Sequence, residues 1–385
     1  MTRSDAPGAG PRSSRGPVPP IPLTVLTGFL GSGKTTLLNR WLSDPALAET
    51  VVIINEFGEI GLDHLFVEMA DEGLITLAAG CLCCTVRGDL VATLEDLLRR
   101  RDNGRIAPFR RVIIETTGLA DPAPVLQAVL RHPYLAQRYA LAGVVVTIDA
   151  VNGTGTLDAH EEAVKQVAVA DRLVLTKADM ADAETVARLR ARVRQLNPLA
   201  PMVTAEAAHA TLITGLGVFG VDGKIADVSA WVGAEPGHDH DHDHAHRHGH
   251  GHHHHSHDHH HDVNRHDARI RAVSIIEEQP IGRGAFEAFT DLLRSAHGPD
   301  LLRVKGLVKL ADDPEHPVVV HGVQHVFHPP VTLPAWPDQD RRSRIVFILR
   351  DMDEDFLRRL WDAFLGRPAI DMPDRAALTD NPLAL

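Results

Sequence analysis

From Ile21 onward, short apolar runs alternate with segments whose apolar residues recur at helical spacing. The runs Leu23–Leu26, Val51–Ile54, Leu74–Leu77, Arg111–Ile114, Gly143–Ile148 and Arg172–Leu175 predict strands. The segments Thr35–Ser43, Asp89–Arg100, Pro124–Arg131, Glu161–Ala170 and Glu184–Leu196 predict helices. Strand–helix alternation of this kind implies a mostly parallel sheet covered on both faces.

The pattern stops at Pro236. Between His238 and His261, fifteen of twenty-four residues are His and the only apolar residue is one Ala. Such a segment has nothing to bury, so residues 236–267 are expected to form a flexible linker. Beyond it the spacing predicts strands over Arg269–Glu277, Leu301–Leu310, Val318–Phe327 and Arg344–Arg350, with helices over Gly284–His297 and Glu354–Leu365. That order suits a smaller α+β domain, an antiparallel sheet with helices on one face. The expected organisation is a disordered leader (1–20, rich in Pro, Gly, Ser and Arg), an α/β domain (21–235), the linker (236–267) and the α+β domain (268–385).

Composition narrows the function. A formal charge of −12 argues against a nucleic-acid binder, which would carry a basic face. No apolar run approaches the ~20 residues that cross a bilayer, and the N-terminus lacks the apolar core of a secretory signal. The three Cys are Cys81, Cys83 and Cys84, too crowded and too few for a disulfide framework. A reducing, cytoplasmic setting is the expectation.

Gly28-Phe29-Leu30-Gly31-Ser32-Gly33-Lys34-Thr35 fits G-x-x-x-x-G-K-[ST] between a predicted strand and a predicted helix. Gly28, Gly31 and Gly33 let the backbone wrap phosphates, and the amides of Ser32, Lys34, Thr35 and Thr36 sit at the positive end of a helix. Lys34 would neutralise phosphate charge and the Thr35 hydroxyl would ligate Mg²⁺. Glu115, at the carboxyl end of an apolar strand, is placed to hold Mg²⁺ through water, with a helix cap as its plainer alternative. Gly118 would sense the γ-phosphate through its amide. Thr176-Lys177-Ala178-Asp179 resembles the N-K-x-D of GTPases with Thr in place of Asn. Asp179 would accept two hydrogen bonds from guanine, Lys177 would lie over the base, and GTP is therefore preferred to ATP.

Gly80-Cys81-Leu82-Cys83-Cys84 precedes a predicted helix, where thiolates are stabilised. Soft sulfurs on one short turn favour Zn²⁺ or Cu⁺ over Mg²⁺, and three ligands leave one tetrahedral position open for release. Glu59 is the candidate fourth ligand. Redox thiols and small buried residues are the alternatives for this turn. The His tract can hold Zn²⁺, Ni²⁺ or Co²⁺ loosely, as a reservoir. His316, His321, His325 and His328 crowd one predicted strand; His321 and His325, an even number apart, could share a face.

On the motifs LTGFLGSGKTTLLN, NEFGEIGLD, GCLCC, ETTGLADP and LTKADM, with the His-rich linker, the chain resembles the CobW family of metal-handling GTPases over roughly residues 21–350. The resemblance implies a P-loop domain of the SIMIBI type plus a family-specific C-terminal domain. It also implies slow GTP hydrolysis serving delivery of a transition metal to a client protein. Zinc is the first expectation; cobalt handling in cobalamin synthesis and passive metal buffering are the alternatives. Glu59 and the three Cys lie between the phosphate loop and Glu115, where GTPases place their switches.

Overall fold

The computed structural model describes residues 19–54, 86–216 and 269–367, with the backbone of two short strands at 68–69 and 75–76. Its first sheet is built from β1 (Ile21–Gly28), β2 (Thr50–Ile54), β5 (Arg111–Glu115), β6 (Tyr139–Asp149), β7 (Arg172–Thr176) and β8 (Met202–Thr204). All six run parallel in the order β2-β5-β1-β6-β7-β8. The strand period of two explains how one apolar run feeds two cores. Leu23, Val25, Val112, Ile114, Val144 and Val146 point to one face, while Leu26, Val52, Ile113, Val145 and Val174 point to the other.

Helices cover both faces. They are α1 (Lys34–Leu42), α2 (Val86–Asp102), α3 (Ala123–Arg131), α4 (Leu135–Arg138), α5 (Gly153–Ala159), α6 (Glu161–Val169), α7 (Ala183–Leu196) and α8 (Thr211–Thr214). The remaining short strands, β3 (Glu68–Met69) and β4 (Ile75–Thr76), pair antiparallel, so of Leu74–Leu77 the described strand holds two residues. Trp41 shows how α1 is fixed: its ring is buried, and its indole N–H donates to the Ala208 carbonyl at 2.7 Å. Burying each such side chain contributes about 2–3 kcal/mol.

The second sheet contains β9 (Ile270–Glu277), β10 (Leu301–Leu310), β11 (Asp313–Val323), β12 (Val326–Phe327), β13 (Val331–Thr332) and β14 (Ser343–Arg350). It is antiparallel, in the order β12-β11-β10-β14-β9, with β13 on β11. The run expected as one strand over Val318–Phe327 is broken. Gln324 takes φ 52°, turning the chain between β11 and β12. His321 and His325 therefore do not share a strand face. His325 instead leaves the turn toward the carbonyl of Arg294 (2.9 Å).

One face of this sheet packs on α9 (Arg283–Ala296) and α10 (Glu354–Phe364) through Phe289, Leu293, Phe347, Leu357 and Trp361. The other face brings Ile270, Leu302, Val323 and Ile348 into the same core as α3, α6 and α7. The two sheets are thus joined by a continuous apolar contact. No helix among the described residues is long and apolar enough to cross a membrane.

Candidate functional site

The loop after β1 is possible only because of its glycines. Gly31 and Gly33 hold φ of 73° and 84°, left-handed values that a side chain would strain. At Gly28 (φ 146°) a Cβ would lie 2.3 Å from the Thr147 hydroxyl. The loop is further pinned from behind: Ser32 Oγ and Thr147 Oγ1 are 2.7 Å apart, and Thr176 Oγ1 donates to the Ser32 carbonyl at 2.8 Å. Lys177 sits at φ 55°, and its ammonium reaches the Gly31 carbonyl (2.9 Å) and Asp149 Oδ2 (2.6 Å).

This loop, the start of α1 and the turn after β5 enclose a cleft of about 480 Å³. Gly31, Gly33, Lys34, Thr35, Thr36, Glu115, Gly118 and Lys177 all line it, as the motif reading expects. Lys34 is buried, with its ammonium 2.9 Å from the Gly28 carbonyl and 3.2 Å from that of Phe29. Thr35 Oγ1 donates to Glu115 Oε1 at 2.7 Å, which brings the hydroxyl and the strand-end carboxylate expected at a magnesium site into direct contact. The buried Thr117 hydroxyl, also on the cleft wall, has no hydrogen-bond partner among the described residues. A concave nest of amides, one buried ammonium, a hydroxyl–carboxylate pair and an unpartnered hydroxyl fit a Mg²⁺-bound phosphate chain.

Two residues of the base-recognition motif lie outside this cleft. Thr176 points at the phosphate loop instead of the cleft, within hydrogen-bond distance of the Ser32 and Ile148 carbonyls. Asp179 is exposed on the short turn Ala178–Met180, next to Lys177. Residues 55–67 and 77–85 lie outside the described residues, so Glu59, Cys81, Cys83 and Cys84 have no described geometry, and neither has His238–His261. Among the described residues, no group of three or more His, Cys, Asp or Glu side chains is placed to hold a metal. His316 pairs with Asp313 (2.8 Å), and His321 stacks on His328 with ring centres 4.4 Å apart.

The sequence reading passed over three groups. Asp149 accepts from the amides of Val151 and Asn152 as well as from Lys177. Burial would raise its carboxyl, but the Lys177 and Asn152 donors outweigh that and hold it below the ordinary range. Gln166, buried on α6, donates to the carbonyls of Gly118 (3.3 Å) and Ala120 (3.0 Å). At the opposite end of β7, Asp171 meets Arg303 and Lys305 of β10, all three buried, with Lys305 Nζ 2.9 Å from Asp171 Oδ1. Burial would raise the Asp171 carboxyl, yet the two cations hold it well below its usual range; burial pushes Lys305 down to about 7. An acidic residue just after a strand was the only available signal for Asp149. Gln166 and the Asp171 group gave none.

Residues 22–204 match the CobW/HypB/UreG nucleotide-binding domain, and residues 270–365 match the cobalamin synthesis protein CobW C-terminal domain. The chain is 32% identical over 348 residues to the zinc chaperone YjiA of Escherichia coli K12, covering 90% of this chain and 98% of that one. It is 34% identical over 191 residues to zinc-regulated GTPase metalloprotein activator 1 of Schizosaccharomyces pombe, spanning 48% of this chain and 45% of the relative. The crystal structure of the Zn(II)-bound YjiA GTPase superposes with a TM-score of 0.64 at 28% identity, over 90% of this chain and 99% of that one. With a complete phosphate loop, its supporting contacts and this likeness along nearly the whole of a relative, the chain belongs to the CobW family and is a P-loop GTPase.

Proposed function

We propose that this GTPase is a metallochaperone that binds zinc at Cys81, Cys83 and Cys84, with Glu59 as a further ligand, and passes it to a metal-requiring client protein in the cytoplasm. The observation that supports this most is the likeness to a zinc chaperone over 98% of that protein's length. It is joined by a sequence fact: the three thiols fall between the phosphate loop and Glu115. Thiolates suit zinc, and a three-sulfur turn leaves a position through which the ion can be handed on. His238–His261 serves as a loose reservoir in this reading.

In this reading the nucleotide half of the cycle rests on the phosphate loop and its neighbours. The loop amides and Lys34 bind and orient the phosphates, while Thr176 and Lys177 hold the loop in its binding shape. Mg²⁺, held by Thr35 and through Glu115, would supply positive charge against the β- and γ-phosphates. Gly118 reads the presence of the γ-phosphate, and Asp179 selects guanine. GTP then sets whether the sulfurs converge on zinc, and hydrolysis releases them.

The test is a Zn²⁺ competition titration on protein lacking His238–His261, with and without a non-hydrolysable GTP analogue. The expected coupling is ~1–3 kcal/mol, about 5–150-fold, and it must be reciprocal for nucleotide binding. Replacing Cys83 and Cys84 by Ser should erase it and spare GTP binding. Equal zinc affinity in both nucleotide states would leave a GTPase with a structural zinc. The match to a cobalamin-synthesis domain favours a second reading, in which cobalt is the cargo. A Co²⁺ arm of the same titration separates the two.

A further inference from the structure

Helix α6 touches both the nucleotide cleft and the C-terminal sheet. At its N-terminal end, His160 stacks on Phe29 of the phosphate loop at 4.4 Å, and Glu161 pairs with Arg350 of β14 at 2.9 Å. Near its middle, Gln166 grips the Gly118–Ala120 turn through two carbonyls. At its C-terminal end, the Val169 carbonyl accepts from the Arg303 guanidinium, and Asp171, two residues on, pairs with Arg303 and Lys305. The side-chain amide of Asn197, just after α7, lies within hydrogen-bond distance of the Val167, Ala168 and Ala170 carbonyls (2.8, 3.2 and 3.0 Å), so this end is held rather than frayed.

We propose that α6 is the element through which the Gly118 turn and the C-terminal sheet sense one another, with Gln166 as the positioning residue that grips the turn. The proposal rests on the reading of Gly118 as the γ-phosphate sensor. If the turn moves toward a phosphate, the Gly118 carbonyl travels with it, and that carbonyl is bonded to Gln166. Gly118 is packed directly against the phosphate loop, since a Cβ there would lie 2.6 Å from the Leu30 backbone. Behind the phosphate loop, a cavity of about 240 Å³ lined by Gln166, Leu157, Ala163 and Val167 gives α6 room to shift. A hydrogen-bonded helix of nine residues moves as a short rod, so a displacement at Gln166 arrives at Glu161 and Val169.

The experiment is hydrogen exchange on the full chain with Mg²⁺, comparing GDP with a non-hydrolysable GTP analogue, alongside the affinities for both. In the wild type, exchange should differ between the two nucleotides at 116–120 and at 301–305. Gln166→Met, which keeps the side-chain length and loses the donor, should abolish the response at 301–305. It should also change the ratio of GTP-analogue to GDP affinity by about fivefold or more, the worth of one or two buried hydrogen bonds. A purely structural role would instead weaken both nucleotides together. Arg350→Ala, at the partly exposed far end, is the second variant should Gln166→Met fold poorly. It should dampen 301–305 and leave 116–120 responsive. A wild type that responds at 116–120 and not at 301–305 overturns the proposal and leaves the Gly118 reading standing. So does a Gln166→Met protein with the wild-type ratio. No difference at 116–120 in the wild type removes the Gly118 reading and the proposal with it.

Discussion

The Thr176 hydroxyl donates to the Ser32 carbonyl across 2.8 Å, joining two residues 144 positions apart. Thr in place of the usual Asn is therefore a functional substitution: its hydroxyl reaches the backbone of the phosphate loop. The contact is expected to support the loop for GTP and GDP alike. Thr176→Val, similar in shape without the donor, is expected to weaken GTP and GDP alike by about 5–15-fold, the worth of a buried hydrogen bond left half made. Thr176→Ser should retain most of the affinity. Equilibrium titration with fluorescent GTP and GDP checks both, and a loss confined to GTP would contradict the tether.

Among the described residues, Lys34 is the only Lys or Arg on the wall of the phosphate cleft besides Lys177, and Lys177 is engaged with Gly31 and Asp149. Lys34→Ala is expected to lower GTP hydrolysis by roughly 100-fold or more, since developing charge on the phosphates loses its nearest ammonium. Steady-state phosphate release measures this. Turnover near wild type would mean that the loop does not carry the reaction.

Asp179 stands exposed beside Lys177, open to a base. Asp179→Asn is expected to weaken guanine nucleotides and admit xanthine nucleotides, because an amide donor meets the 2-oxo group where the carboxylate met an amine. Competition between GTP and XTP reads the switch directly. Unchanged guanine preference in this variant would place base selection elsewhere.

The joint between the two sheets should fail on the acid side. Burial pushes His328 from 6.5 down to about 4, and His321, stacked on it, is lowered as well. Burial is the largest cause for both rings; Arg303 and Lys305 also repel a proton there, while Asp171 attracts one. As pH falls, the unfolded chain takes up these protons before the folded one does. Stability held in full above pH 6.5 is therefore lost as pH drops toward 4. His328→Phe, which keeps a ring on His321, should flatten that decline in urea midpoints. An equally steep fall would assign the acid sensitivity to other groups.

The strand-to-helix passage at Gly28–Thr35 was legible because the same eight residues state both a backbone requirement and a chemistry. Most strands of the parallel sheet were legible because each is a continuous apolar run bounded by polar turns. Met202–Thr204 was not, being three partly buried residues held by a neighbour's ladder. Helix α5 begins Gly-Thr-Gly, which argues against a helix locally. Its reason is tertiary, since a Cβ on Gly153 would lie 2.9 Å from Leu189 of α7. Gln166 could not be singled out, because nothing about a Gln on an amphipathic helix says that two carbonyls wait for it 46 and 48 residues upstream. The break at Gln324 likewise hides in a run that reads as uninterrupted strand.

Arg303 and Lys305 belong to the C-terminal sheet and Asp171 to the turn that leads into β7, so the group's charges are divided between the two halves. A C-terminal half produced by itself would present two cations on an apolar sheet face, and the nucleotide half would lose both cations that face Asp171. In the joined molecule, removing one partner by substitution leaves a buried charge uncompensated, which typically costs about 3–5 kcal/mol. The two halves are thus bound together as a unit of inheritance: a gene fusion or exchange that moves one without the other inherits an unbalanced seam.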